Sequence, residues 1–391
     1  MTNAEFIALH KTDDVRKIGL KKMPDGVDAS FCMQQIEGWQ LAQKKIPKWA
    51  ETKGLLYPPR LSMEQCSSEK TALYKQQQVQ RLVCDEMEEM VDLTGGFGID
   101  FSYMAPLFQK AVYIERQEQL CRIAQHNFNL LGLYRAEIRN AEAENELPNI
   151  DKVSLIYADP ARRNSAGRKV VFLNECQPDI VALQDELMKR AKLVMLKLSP
   201  MLDIQQALRQ MNYVREVHVV SIDGECKELL LVMCHQELPL YYYCVNIAKT
   251  VQEIIVPEVW QNAVLCEKEK TFLYEPNASI LKAGVQDALC EQFKVEKLHQ
   301  FSHLYTSDKL IDDFPGRSFR ILGKSDFSKQ GLRGLLAGVK QANITVRNFP
   351  ATVQELRKKL KLSEGGNIFL FATTMQDASH VLFRCEKVKN G

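Results

Sequence analysis

The strongest constraint on the fold lies in residues 88–234, where short apolar runs alternate with segments of helical spacing. Strands are expected near 89–93, 111–115, 135–139, 153–159, 192–198, 214–222 and 228–234, with helices near 99–109, 117–131, 175–190 and 203–211. Alternation at this spacing predicts a mostly parallel sheet covered by helices on both faces. The last two runs are joined only by residues 223–227, too few for a parallel crossover, so they should close the sheet as an antiparallel edge hairpin.

In such a sheet, ligands collect at the carboxyl ends of the strands, and this chain places chemistry-bearing residues there. The first strand runs into Asp92-Leu93-Thr94-Gly95-Gly96-Phe97-Gly98-Ile99-Asp100, and Phe101, Met104, Leu107 and Phe108 follow at helical spacing. Gly96 and Gly98 tolerate positive φ and let a ligand approach bare backbone. The second strand ends at Glu115, placed to accept both hydroxyls of a ribose. Asn140 ends the third and offers a donor and an acceptor to an adenine edge, though it is equally a turn residue. The fourth ends in Asp159-Pro160-Ala161-Arg162-Arg163. There the proline fixes a turn that aims the Asp159 carboxylate outward, and two acceptors can align an amine and take its proton. Arg162 and Arg163 can grip a phosphate beside the target, or be plain surface arginines. Lys197 closes the fifth strand and either faces the crevice or snorkels to solvent. Attack on a pyrimidine ring carbon needs a thiolate; the nearest cysteine, Cys226, lies on the edge hairpin, which favours amine chemistry.

The flanks read differently. Residues 1–60 predict short amphipathic helices near 20–23, 31–41 and 44–49, with no evident chemistry. Ser67 or Ser68 can cap a helix reaching to residue 87; if the preceding turn lies at the mouth of the glycine pocket, Gln65 and Ser67 reach the ligand. Beyond residue 237 a small α/β segment is expected to 313, then a β-α-β-α-β-β order over 314–391. That tail carries 14 basic against 5 acidic residues, a local +9 that leaves −7 for the rest. Such asymmetry marks contact with a polyanion, or simply a solvated basic face. Arg347 and the Arg357-Lys358-Lys359 cluster are its candidate contacts. The eleven cysteines show no C-x-x-C pair, so no metal site or disulfide framework is expected. No apolar run reaches spanning length and no signal-peptide layout opens the chain, which predicts a cytoplasmic protein.

Taken together, residues 61–236 resemble the class I S-adenosylmethionine-dependent methyltransferases. The resemblance implies a Rossmann-like seven-stranded sheet with a terminal β-hairpin, following a helical N-terminal region. It implies S-adenosylmethionine as cofactor, held by Asp92, Thr94, Gly95, Gly96, Gly98 and Asp100, with its ribose on Glu115, its adenine near Asn140, and Gln65 and Ser67 covering it. Asp159 and Pro160 would lie at the acceptor. Thr94 stands where the family's usual first glycine would be, and Ala161-Arg162 replaces the usual proline and base-stacking aromatic. Residues 237–313 look like a ferredoxin-like connecting segment, and 314–391 like a THUMP-like domain of the kind attached to bacterial RNA methyltransferases. THUMP domains bind RNA, so RNA is the implied partner and a base nitrogen the implied acceptor. Two alternatives remain open: a methyltransferase for a substrate other than RNA, and an RNA-binding protein whose catalytic core has decayed.

Overall fold

The computed structural model describes residues 1–20, 22–84, 87–162 and 173–388. The chain divides into two compact units: residues 1–215 with 229–238, and residues 216–228 with 239–391.

The first unit opens with helices α1 (Asn3–His10), α2 (Val15–Ile18), α3 (Ala29–Lys45), α4 (Pro47–Glu51), α5 (Arg60–Gln65) and α6 (Glu69–Val83). Asp28 caps α3 by accepting the Phe31 N–H at 3.0 Å, and Pro47 opens α4 at a position that needs no donor. The expected helices near 31–41 and 44–49 fall in α3 and α4, whereas the described residues of 20–23 are not helical. Ser68, not Ser67, caps α6.

Strands β1 (Glu89–Asp92), β2 (Lys110–Glu115), β3 (Ala136–Asn140) and β4 (Val153–Ala158) pair in parallel around a central β1. A two-residue ribbon, β5 (Ala161–Arg162) with β6 (Cys176–Gln177), follows β4. β7 (Ala191–Leu198) then pairs in parallel with β4. Helices α7 (Ile99–Met104), α8 (Glu118–Leu130), α9 (Ala143–Glu146), α10 (Ile180–Arg190) and α11 (Ile204–Gln210) connect the strands. β8 (Val214–Ile222) and β9 (Glu225–Cys234) are neighbours in the sheet, joined through Asp223 and Gly224, and β9 runs antiparallel to β7.

The sheet has nine strands rather than the seven expected. β10 (Tyr241–Ile247) lies parallel to β8 and β11 (Val251–Pro257) antiparallel to β10, giving the order β11-β10-β8-β9-β7-β4-β1-β2-β3. The reason is direction: because β9 runs back, a short link suffices to start a strand alongside β8, and all of β10 but its first residue is buried.

The second unit also holds a seven-stranded sheet. Its members are β12 (Phe272–Pro276), β13 (Glu296–Lys297), β14 (Tyr305–Ser307), β15 (Gly316–Ser325), β16 (Asn343–Arg347), β17 (Ile368–Thr374) and β18 (His380–Lys387). Their order is β13-β14-β12-β15-β18-β17-β16. Helices α12 (Ala278–Ala283) and α13 (Ala288–Phe293) precede β13, while α14 (Lys329–Leu335) and α15 (Val353–Leu360) flank β16. Leu356, Leu370, Ala372 and Leu382 form part of the core between the last helix and the sheet.

Candidate active site

The turn after β1 is held by its own sequence. Asp92 Oδ1 accepts the Thr94 N–H at 2.9 Å, and the Gly95 N–H donates to Ile114 O at 2.8 Å. A Cβ at Gly95 would stand 2.1 Å from the Tyr113 ring, so glycine is required there by close approach. Gly98, at φ 84°, precedes α7, and a Cβ would meet Phe128 at 2.8 Å. The Tyr113 hydroxyl donates to Gly96 O. Glu115 ends β2 with one oxygen on the glycine turn and one on the chain that follows it: Oε2 accepts the Gly96 N–H at 2.9 Å, and Oε1 the Gln117 N–H at 2.8 Å. Asn140 is braced against the same strand end, its Nδ2 donating to Glu115 O at 2.9 Å and Arg116 O at 3.0 Å. Its side-chain oxygen is therefore the group it can present to a ligand.

A buried charge network, which sequence reasoning missed in part, lies behind this turn. Lys75 on α6 is fully buried; its Nζ sits 3.2 Å from Asp100 Oδ1 and donates to Ser67 Oγ at 3.2 Å. Ser67 Oγ and the Tyr157 hydroxyl each donate to Asp100 Oδ2 at 2.7 Å. Burial alone would raise the Asp100 carboxyl, but the ammonium charges of Lys75 and Lys197 with those two hydroxyls hold it below its ordinary value. Asp92 goes the other way. Burial pushes its carboxyl well up, and the charges of Asp100, Asp159 and Glu115 add to the effect against the Thr94 hydrogen bond. Ser67 thus ties the turn before α6 to the head of α7, while Gln65 ends α5 exposed.

At the end of β4, the Asp159 N–H donates to Thr94 Oγ1 at 2.6 Å, which fixes the Asp159-Pro160 turn against the glycine turn. Thr94, anomalous as a missing glycine, acts here as a strut between two strand ends. The Lys197 ammonium donates to Asp159 Oδ2; Lys197 is buried and the Asp159 side chain is 38% exposed. A second cation lies close by: Lys45 Nζ donates to Met63 O at 3.0 Å and Glu64 O at 2.6 Å. Its amine is pushed down by burial and further by the Lys197 charge. Arg162 lies in β5, and Arg163 falls outside the described residues.

The N-terminal helices reach this site through Phe97, whose ring centroid stands 5.0 Å from Trp49 and 6.3 Å from Tyr57. Ile46, Met63, Ile99 and Ile123 belong to the same cluster. The aromatic residue between Gly96 and Gly98 is therefore an anchor for the turn rather than a group facing a ligand.

The remaining candidates lie in the second unit. Arg347 Nη2 donates to Glu275 Oε1 at 2.7 Å, and Arg317 Nε to Oε2 of the same buried carboxylate at 2.8 Å. Arg357 Nη1 donates to Ala342 O at 3.3 Å, Lys359 lies over the Phe327 ring at 5.5 Å, and Lys358 is exposed. Among the described residues no group of three or more His, Cys, Asp or Glu is placed to hold a metal ion, and no helix is long and apolar enough to cross a membrane.

Asp92, Glu115 and Asp159 thus stand at the carboxyl ends of β1, β2 and β4 beside the glycine turn, with Asp100 buried behind it and paired with Lys75. The arrangement suits a cationic ligand with neighbouring hydroxyls. Comparison with known proteins bears on its identity. A ferredoxin-like domain family matches residues 272–315 and a THUMP domain-like family residues 316–387. A crystal structure of a candidate methyltransferase from Porphyromonas gingivalis W83 is 32% identical, covers 99% of this chain and 98% of its own, and superposes with a TM-score of 0.87. Partial matches include a candidate rRNA methylase from Clostridium thermocellum, at 13% identity over 41% of this chain and 96% of that one, with a TM-score of 0.33. Another is precorrin-6y C5,15-methyltransferase from Geobacter metallireducens GS-15, at 15% identity, 49% and 96% coverage, and a TM-score of 0.34. No curated protein matches the chain.

Proposed function

The chain belongs to the family represented by the Porphyromonas gingivalis structure, a methyltransferase-like α/β core with a C-terminal THUMP-like domain, and on that basis we propose that it methylates RNA. Its methyl donor would be S-adenosylmethionine and its acceptor an exocyclic or ring nitrogen of a base. What supports this reading is that the Glu115 carboxylate accepts the Gly96 N–H and the Asp159 main-chain N–H donates to Thr94, so the group that would hold a ribose and the group that would serve the acceptor flank one glycine turn.

The residues present fit that donor. S-adenosylmethionine brings two positive centres, a sulfonium and an ammonium, to a site where Asp92 already feels three neighbouring carboxylates. When bound, it supplies an activated methyl group, so the protein's share is alignment and proton removal. Glu115 would hold the ribose hydroxyls, Asp92 with the Gly95–Gly98 backbone the amino-acid end, and Asn140 the adenine. Asp159 would accept the proton of the acceptor nitrogen, and Pro160, buried behind it, keeps the carboxylate aimed. Arg162, Arg163 and the exposed tail lysines supply charge for the RNA backbone.

The test is direct. Calorimetry of the purified chain should show binding of S-adenosylmethionine and of its demethylated product, and labelled methyl should enter RNA from a strain lacking the gene. Binding without transfer to RNA would leave a methyltransferase for another substrate or a decayed core, and loss of RNA retention on charge reversal at Lys358 and Lys359 would separate these two. Absence of cofactor binding would end the proposal.

A further inference from the structure

The loop between β13 and β14 holds an aromatic ring out in solvent. Phe301 is 62% exposed, and among the other described phenylalanines only Phe31 is also exposed, at 36%. The residues around it do the opposite: Leu298, Ser302 and Leu304 are fully buried. Slackness does not explain the exposed ring, because the loop is closely tied. The Leu298 N–H donates to Leu304 O at 2.9 Å and closes it, while the Ser302 N–H and Oγ both donate to His299 O at 3.1 Å. The Phe301 N–H donates to His299 Nδ1 at 3.1 Å, and the two rings stand 5.6 Å apart. His303 adopts φ 50°, a left-handed conformation that is costly for a residue with a side chain and persists only where its surroundings impose it.

This ring stands in a positive field. Asn348 Nδ2 donates to His299 Nδ1 at 2.9 Å, which ties the loop, part of the ferredoxin-like stretch, to the end of β16 in the THUMP-like stretch; both lie in the second unit. Arg347, just before Asn348, shares the buried Glu275 carboxylate with Arg317, and the two arginine side chains are 37% and 44% exposed. Two guanidiniums on one carboxylate leave a net positive charge. The loop feels it: burial pushes the His303 imidazole down, and the Lys297 and Arg347 charges add to the effect against Asp287.

A rigidly held, exposed ring beside excess positive charge suits an unpaired nucleobase. The base stacks on the ring whatever its identity, and the phosphates flanking it are drawn by the charge. A paired base has no free face to offer. An apolar protein surface would meet the ring but not the charge, and a second copy of this chain would bring its own tail of +9 towards it. We propose that Phe301 is a stacking platform for an unpaired base of the substrate RNA, so that the ferredoxin-like stretch grips the RNA together with the THUMP-like stretch and takes it single-stranded. This step rests on the RNA reading given above and adds the place and the strandedness of the contact.

The experiment uses the full chain with single-stranded and fully duplex RNA oligonucleotides. In Phe301→Trp, the single strand should quench fluorescence beyond the change seen with the three native tryptophans, and the duplex should not. Phe301→Ala should weaken single-strand binding by roughly 5- to 100-fold. That factor should be the same at every salt concentration, because the ring carries no charge and its loss leaves the salt slope unaltered. Phe301→Leu, which keeps apolar bulk without a ring, should bind as weakly as Phe301→Ala. Equal quenching by duplex overturns the assignment to an unpaired base. Full affinity in Phe301→Leu marks a plain apolar contact and overturns stacking, and a salt slope that falls in Phe301→Ala shows the residue acting through its cationic neighbours and overturns it too. Full affinity in Phe301→Ala without quenching in Phe301→Trp removes the platform and leaves RNA binding standing. Absence of RNA binding by the unaltered chain at any salt overturns the RNA reading and this inference with it.

Discussion

Asp92 is the residue that burial holds most firmly against ionisation in this turn. Its native carboxyl lies well above its ordinary 3.8, chiefly through burial. The folded chain therefore binds that proton more tightly than the unfolded chain does, and ionising it costs stability as pH rises through the native value. At a pH below that native value the proton is in place, and a cationic ligand that favours the carboxylate releases it. Titrations of S-adenosylmethionine over a series of pH values, in buffers of different ionisation enthalpy, should show net proton release that fades as pH rises and is absent in Asp92→Asn. Gly95 is a second residue with a sharp expectation. Because a methyl would stand 2.1 Å from the Tyr113 ring, Gly95→Ala should destabilise the first unit by about 1–3 kcal/mol, read by denaturant melts, and weaken cofactor binding. Gly95 is legible in the sequence as part of a glycine turn. Its steric reason is not, since it depends on which way the tyrosine of the adjacent strand points.

At the level of elements, α6 ties the site together through one lysine. Lys75 is fully buried with Asp100 and Ser67, so Lys75→Met leaves a carboxylate without its charge partner, at a cost of about 3–5 kcal/mol. Chemical denaturation measures this, and adding Asp100→Asn should recover part of the loss. The pH dependence has a definite sign. Asp100 lies below its ordinary 3.8, so its contribution is complete above that value and fades as pH falls through the lower native one. The sequence could not reveal this network: α6 reads as a polar helix, and only the pairing of α6 with α7 and β4 turns a lysine in its middle inward. The succession of the seven long strands from β1 to β9 was legible from spacing, as was the short tie that makes the last two neighbours, whereas the ribbon of β5 and β6 and the order of strands across the sheet were not. β10 and β11 were not. Their residues suggest strands, but nothing local says to which sheet a strand belongs. The charge of Arg347 was visible too, whereas its bond to Glu275 depends on β12 and β16 lying in one sheet.

For the whole molecule, the uneven charge sets what the proposed binding of RNA should look like. Several basic residues of the tail are already paired: Arg317 and Arg347 with Glu275, and Lys324 with Glu269. Lys329, Arg333, Lys340, Lys358, Lys359 and Lys361 are exposed and remain the better phosphate contacts. Each that meets a phosphate of single-stranded RNA should contribute roughly 0.7 to the slope of log affinity against log salt. Lys358→Glu with Lys359→Glu should flatten that slope and leave cofactor affinity unaltered. The partition of the chain has a further consequence. Residues 216–228 belong with 239–391, while 229–238 return to the first unit, so each unit is stitched from separate stretches of sequence. A truncation at any single bond leaves one half missing a strand it needs, and limited digestion should not yield two intact fragments. A graft of this tail onto another enzyme would have to carry residues 216–228 along with it. Removal of the tail by one cut after residue 238 would keep every stretch of the first unit and leave residues 216–228 without the unit they pack with.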